Sequence, residues 1–272
     1  MTAPHGTGRA GDIVTHLMTA APPSLSIFFP MYNEEENIRP ALEAAETVCR
    51  QMVDGGELST YELIVVDDAS TDGTGKVADE IAATDPHVRV VHHPVNRKLG
   101  GAIKTGFAAA TGDLVLYTDA DLPCELIEAD KALRLLRLYE ADIVSAYRFD
   151  RTAEGAQRAL YSFVYNHLVR WVLGVRIRDV NFAFKLVRRR VLDHVELVSE
   201  GSFIDAELVA KAHKRGFRLV QFGVDYIART RGTSTLSSPG VIVQMLRELS
   251  ALYPDIRGLE RLPAAVLDEE LA

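Results

Sequence analysis

A chain of 272 residues, 47% hydrophobic and 25% charged, has ample length for a core as one large or two small domains, which excludes general disorder. Thirty Lys and Arg against thirty-eight Asp and Glu give a formal charge of -8, which argues against a protein that coats nucleic acid. The two cysteines, Cys49 and Cys124, have neither metal-ligand spacing nor disulfide density and read as ordinary thiols of a reducing cytoplasm.

No apolar run approaches the roughly 20 residues that span a bilayer, and the N-terminus lacks a continuous apolar signal core. Residues 1–22, rich in Gly, Ala, Thr and Pro, are expected to form a flexible tail. "GTGRAG" at 6–11 matches a dinucleotide-loop pattern, but no strand precedes it and no acidic residue follows at the right place, so the match reads as chance. From Leu25 the pattern becomes regular. Strand "LSIFFP" leads to a helix whose apolar stripe is Ile38, Leu42, Ala45, Cys49 and Met52. Strand "YELIVVDD", helix "GTGKVADEIAAT", strand "VRVVHH" and helix "GGAIKTGFAAAT" follow, then strand "DLVLYTD", helix "CELIEADKALRLLRLY" and strand "ADIVSAYR". Such alternation predicts an α/β fold, a Rossmann-like, mostly parallel central sheet flanked by helices on both faces. Sheets of this kind bind ligands beyond the carboxyl ends of their strands.

Polar residues gather at those ends, in "PMYNEEEN", "DDASTDGT", "HPVNRKLGG" and "DADL". Asp119 and Asp121 stand two apart on one strand face, where like charges repel unless a cation lies between them. Asp67 and Asp68 read either as solvated strand ends or as acceptors for a base and a ribose hydroxyl. Ser70 to Asp72 are natural N-cap residues, and that role is compatible with a functional one. His92 and His93 resemble a metal pair, but strand alternation sends them to opposite faces.

Taken in order, "P-x-Y-N-E-E-x-N-I", "V-D-D-x-S-x-D-G-T", "N-x-x-x-G-x-A-x-x-x-G-x-x-x-A-x-G-D" and "D-A-D-L" resemble the nucleotide-sugar-binding half of family 2 glycosyltransferases with the GT-A fold. "SAYR", "QRALYSFVYN", "RDVNFAFKLVRR", "GSFIDAELVAKAHKRG" and "RTRGTSTLS" extend the likeness, through about residue 237, to the dolichol-phosphate mannose synthase and polyprenyl-phosphate glycosyltransferase branch. The resemblance implies a single catalytic domain at 23–255, with a donor half at 23–150 and an acceptor half at 151–255, before an acidic C-terminal tail at 256–272. It implies an inverting, metal-dependent hexosyltransferase that moves a sugar from a GDP-mannose or UDP-glucose type of donor to a polyprenyl or dolichyl phosphate. A soluble hydroxyl acceptor, or a non-catalytic nucleotide-sugar-binding subunit, is the alternative.

By the same resemblance Pro30, Tyr32, Glu34, Asp67, Asp68, Lys104 and Asp119 would line the donor, and Asp119 with Asp121 would hold Mg2+ or Mn2+, which hard oxygen donors suit. Arg148, Arg158 and Ser162 would grip phosphate, with Arg229, Arg231 and Ser234 in a basic closing loop. A lipid phosphate needs no strong base; a hydroxyl acceptor would need one, with Asp179 first and Asp205 second as candidates. Asp179 as a helix cap or a partner for Arg178 is the structural alternative. The chain departs from the family pattern at Pro123, which leaves water or Glu125 as third metal ligand, at Ala183, at Lys185 in place of Arg, and at Thr235, where mannose-phosphate synthases carry Lys. The segment "AQRALYSFVYNHLVRWVLG" reads as a helix packed on the core or as an interfacial helix in peripheral contact with the inner face of a membrane.

Overall fold

The computed structural model describes residues 21–150, 156–227 and 239–268. Seven strands form one sheet: β1 (Ser24–Met31), β2 (Thr60–Asp67), β3 (Val88–His92), β4 (Leu114–Thr118), β5 (Ile143–Arg148), β6 (Phe184–Arg188) and β7 (Leu219–Val224), in the order β3-β2-β1-β4-β6-β5-β7. All neighbours run parallel except at β6, which is antiparallel to β4 and β5 and sets Phe184 opposite Thr118. The mostly parallel, helix-flanked α/β sheet expected from the sequence is therefore the one found. β6 and β7 did not stand out in the pattern. β6 is five residues long and carries the buried Lys185 at its second position, so its apolar character is interrupted.

Alternation along β1 explains the layers. Ile27 and Phe29 face α1 (Glu35–Asp54), α2 (Thr74–Ala82) and α4 (Glu128–Leu138), whereas Phe28 faces α3 (Lys98–Ala109) and α7 (Ile204–Arg215). On the second face Phe28 meets Phe107 edge-on at 5.0 Å and stacks with Tyr117 at 5.7 Å. Gly106 permits this approach, because a Cβ there would come within 2.2 Å of the Phe28 ring. Gly106→Val is expected to destabilise the fold by about 1–3 kcal/mol through overpacking, read as a lower urea midpoint at unchanged slope.

α5 (Ala156–Leu173) and α8 (Pro239–Gly258) cover the outer side of α7 through Val169, Leu173, Val209 and Leu249. α7 is thus an inner helix, buried from Ile204 to Ala212. Its charges are paired, Glu207 with Lys211 at 2.7 Å and Asp205 with Lys185 at 2.6 Å.

α6 (Arg189–His194) follows β6, and α9 (Ala264–Asp268) ends the described chain. In the stretch expected as the acidic C-terminal tail, α8 continues to Gly258, Leu262 N donates to Arg215 O at 2.9 Å, and Leu262 and Leu267 pack on the core. Two leucines in an otherwise acidic stretch suffice to dock it. α4 starts at Glu128 rather than Cys124, since Leu122 adopts φ 48° and turns occupy the intervening residues. Residues 1–20, with the expected tail and its "GTGRAG", lie outside the described residues.

Candidate active site

Among the described residues, positive φ in residues other than glycine occurs at Asn33, Ala69, Lys98, Leu122, Glu140 and Asp179. All but Glu140 lie at one edge of the sheet. Asn33, Ala69, Lys98 and Leu122 follow β1 to β4, and Asp179 precedes the antiparallel β6. A left-handed backbone at such residues costs on the order of 1–3 kcal/mol where the side chain is unsuited to it. Its concentration at the carboxyl edge marks the crevice that the sequence pattern predicts.

The first two loops are locked to each other. Asp72 Oδ1 accepts from Thr74 N at 2.9 Å and caps α2, while its Oδ2 accepts from Glu35 N at 3.2 Å, at the start of α1. Glu35 Oε2 returns a bond from Gly73 N at 3.0 Å. Asn33 Oδ1 accepts from Thr71 N at 2.8 Å, Asn33 N donates to Ser70 Oγ at 3.0 Å, and Glu34 N donates to Thr74 Oγ1 at 2.8 Å. Each carboxylate satisfies helix N–H groups that have no partner within their own helix. Asp72→Ala is expected to cost about 1–2 kcal/mol, measured by urea unfolding. Pro30 stands where β1 has outrun its pairing with β4, so its missing N–H leaves no gap, and Tyr32 beyond it is exposed. Glu34 Oε2 accepts from Asn37 Nδ2 at 2.6 Å.

The two aspartates ending β2 diverge. Asp67 Oδ1 accepts from Ser70 N at 3.0 Å and its Oδ2 meets His92 Nδ1 at 2.8 Å. Burial pushes its carboxyl up, yet the hydrogen bonds from Ser70 and His92 prevail and hold it below the usual range. Asp68 points to the opposite face, where its Oδ1 meets His93 Nδ1 at 2.6 Å and accepts from Arg97 N at 2.7 Å. Its buried carboxylate shapes the loop after β3, which supports a structural role over the expected ribose contact. His92 and His93 do face opposite sides, each beside its own aspartate.

Asp119 and Asp121 close β4 in a turn where Leu122 N donates to Asp119 O at 3.1 Å, and both are half-buried. Among the described residues no group of three His, Cys, Asp or Glu forms a metal cage. Glu125, one of the two replacements expected for a third ligand, is exposed. Two carboxylates fit a hard dication that takes its other ligands from water and phosphate. The loop is anchored from the far side of the sheet, because Ile227 N, past β7, donates to Pro123 O at 3.0 Å.

Arg148, at the end of β5, and Asp179, from the expected acceptor half, come together. Arg148 Nε lies 2.6 Å from Asp179 Oδ2 and Nη2 lies 2.7 Å from Oδ1, a bidentate pair with both side chains buried. The guanidinium also lies over the rings of Phe182 and Tyr226, at 5.5 and 5.2 Å. Asp205 is corrected as a substrate or base residue: α7 is an inner helix, so its carboxylate lies in the core, bonded to Lys185 Nζ and the Tyr117 hydroxyl. Lys185 is fully buried, and its Nζ also donates to Phe182 O at 2.8 Å. Lys104 donates to Val198 O at 3.0 Å and pairs with Glu200. Arg229, Arg231, Ser234 and Thr235 lie outside the described residues, as do the side chains of Arg158 and Ser162 on α5.

Sequence reasoning missed three contributors: the Phe182 and Tyr226 rings around Arg148, the reciprocal capping by Asp72 and Glu35, and His92 as the partner of Asp67. The last had a signal, since aligning β2 with β3 makes His92 the direct neighbour of Asp67.

Residues 26–196 match the family model described as Glycosyl transferase family 2. The chain is 31% identical over 228 residues to the glycosyltransferase AglD of Haloferax volcanii, covering 80% of this chain and 35% of that protein. It is 31% identical over 237 residues to the polyprenol monophosphomannose synthase of Mycolicibacterium smegmatis, covering 81% of this chain and 84% of that one. Its fold matches that of Mycobacterium tuberculosis glucosyl-3-phosphoglycerate synthase, solved with Mn2+, UDP-glucose and phosphoglyceric acid, with a TM-score of 0.65 and 22% identity over 93% of this chain and 86% of the other.

Proposed function

The chain belongs to glycosyl transferase family 2, and from that premise we propose that it is an inverting enzyme that moves a sugar from a nucleotide diphosphate sugar to a polyprenyl phosphate. The observation that carries the acceptor is the state of the two carboxylates that would otherwise serve as base. Asp179 has both oxygens held by Arg148, and Asp205 is shut into the core with Lys185. A hydroxyl acceptor needs a base to take its proton, whereas a phosphate monoester arrives with an anionic oxygen that attacks the anomeric carbon directly. The mycolicibacterial relative, named a polyprenol monophosphomannose synthase, agrees with that preference.

In this reading the donor lies across the loops after β1 and β2, with Pro30, Tyr32 and Glu34 along the nucleotide and Asp67 at the base. Asp119 and Asp121 would hold Mg2+ or Mn2+, which neutralises charge that develops on the departing diphosphate. Arg148, fixed by Asp179 and two rings, presents a preset cation on the acceptor side, with Arg158, Ser162, Arg229, Arg231 and Ser234 completing the phosphate grip. The reaction is tested by nucleoside diphosphate release from GDP-, UDP- and dTDP-sugars with either cation, with and without a short polyprenyl phosphate. Lipid-dependent release supports the reading; release indifferent to the lipid overturns it in favour of a soluble acceptor.

The enzyme would reach its lipid from the cytoplasmic side by peripheral contact. No helix among the described residues is long and apolar enough to cross a membrane. α5, however, exposes Phe163, Val164 and Trp171, the last 87% accessible, beside Arg170. The 18 residues of α5 include no acid in a chain of net charge -8, a composition suited to an anionic interface. Two buried free thiols, Cys49 and Cys124, agree with a reducing compartment. Trp171 is the chain's single tryptophan, so its emission should shift to the blue on adding anionic vesicles, and the Trp171→Glu variant should cosediment several-fold less. Unchanged emission would remove α5 as the contact.

A further inference from the structure

His92 is the cross-strand neighbour of Asp67 and sits between two carboxylates. Its Nδ1 lies 2.8 Å from Asp67 Oδ2 and its Nε2 lies 3.0 Å from Asp79 Oδ1. Ionised carboxylates only accept, so both contacts are satisfied together only when both ring nitrogens carry hydrogen. A neutral ring can serve one of the two. The geometry therefore describes an imidazolium clamp between the end of β2 and the outer face of α2.

The clamp is closely built. A Cβ on Gly75 would stand 2.7 Å from Asp67 Oδ2 and 3.4 Å from His92 Cε1, so the first turn of α2 presses on the contact. Asp67 from β2 and Asp79 from α2 are the charges facing the ring. Of the neighbouring charges on α2, Lys76 and Glu80 pair with each other at 4.0 Å, and Glu80 pairs with Arg39 of α1 at 3.1 Å. β3 is the edge strand, so no further strand adds a charge from that side. Of the four lone-pair sites on the Asp67 carboxylate, the backbone and side chain of Ser70 and the ring of His92 engage three, which leaves acceptor capacity for one incoming N–H.

We propose that His92 is a positioning residue for the nucleotide donor: as an imidazolium it fixes the Asp67 carboxylate toward the nucleobase and offsets its charge beside the donor's diphosphate. This rests on the reading of Asp67 as the base contact. Donor affinity then depends on the charge of His92. The hydrogen bonds that the ring donates to Asp79 and then to Asp67 raise it above its ordinary value of 6.5, so the clamp is closed below that value and opens as pH rises through the raised one.

The test measures UDP and GDP binding to the full chain with Mn2+ by calorimetry from about pH 6 to 9, with donor KM and kcat and the His92 ring titration followed by NMR. The parent should lose about ten-fold in affinity as the ring deprotonates. His92→Phe should bind weakly throughout, with donor KM raised about ten-fold and kcat unchanged. Asp79→Asn should lose less affinity than the parent as pH rises, because the introduced carboxamide donates to Nε2 and the neutral ring still donates to Asp67, so that only the charge offset is lost. Since the same nucleotide titrates in every arm, its own ionisation cancels. A pH-independent parent, a His92→Phe variant with the parental profile, or a ring titrating below 6.5 overturns the proposal. No nucleotide bound at any pH, with the ring titrating high, overturns the donor reading and the proposal with it.

Discussion

Asp121→Ala is expected to reduce lipid-dependent nucleoside diphosphate release by about a thousand-fold or more. The departing diphosphate has to be neutralised, and among the described residues no group of three His, Cys, Asp or Glu is present to hold a dication should one of the pair Asp119 and Asp121 be lost. Removing one leaves a site too poor in charge to retain the ion against water. The fold should survive, because Asp121 lies in the turn that follows β4 and is half-buried, outside the packed layers. The comparison is turnover of variant and parent across a Mn2+ titration at equal melting temperature. A variant that recovers parental rate at saturating metal would show that Asp121 tunes affinity alone, and one that retains rate at every concentration would remove the metal from this loop.

Asp179→Asn should lower stability by about 3–5 kcal/mol, because it neutralises the buried carboxylate to which Arg148 Nε and Nη2 bond. A catalytic base would behave differently: kcat would collapse while the urea midpoint stayed in place. The double variant Asp179→Asn with Arg148→Met should recover much of the stability, since removing both members of a buried pair costs less than orphaning one. It should still fail to turn over, as the acceptor-side cation is gone. Equal midpoints for parent and Asp179→Asn would return Asp179 to the role of base and favour a hydroxyl acceptor.

The donor half of the chain was legible because its elements are local. Runs such as "LIVV" and the apolar stripe of α1 carry their period within one segment, and the acidic loops follow them directly. β6 was less legible, since its lysine is neutralised by an aspartate twenty positions away on another element. Distance in sequence also hid the partner of Asp179. Arg148 lies 31 residues upstream, and nothing in either local pattern tells a paired carboxylate from a reactive one. Asp205 misled for a similar reason: a polar residue opening a helix reads as solvated, and only the outer layer of α5 and α8 makes that helix an inner one.

The reciprocal capping of α1 and α2 ties the order of events in folding to the architecture of the crevice. Gly73 and Glu35 are 38 positions apart, so neither helix start can be completed by its own segment. Nascent α1 and α2 lack these stabilising contacts until β1 and β2 have paired and delivered the two loops to each other. The donor floor should consequently gain protection from hydrogen exchange as one cooperative unit, with the amides of Glu35 and Gly73 closing together. A fragment that ends before residue 70 would carry a frayed α1 however regular its apolar stripe.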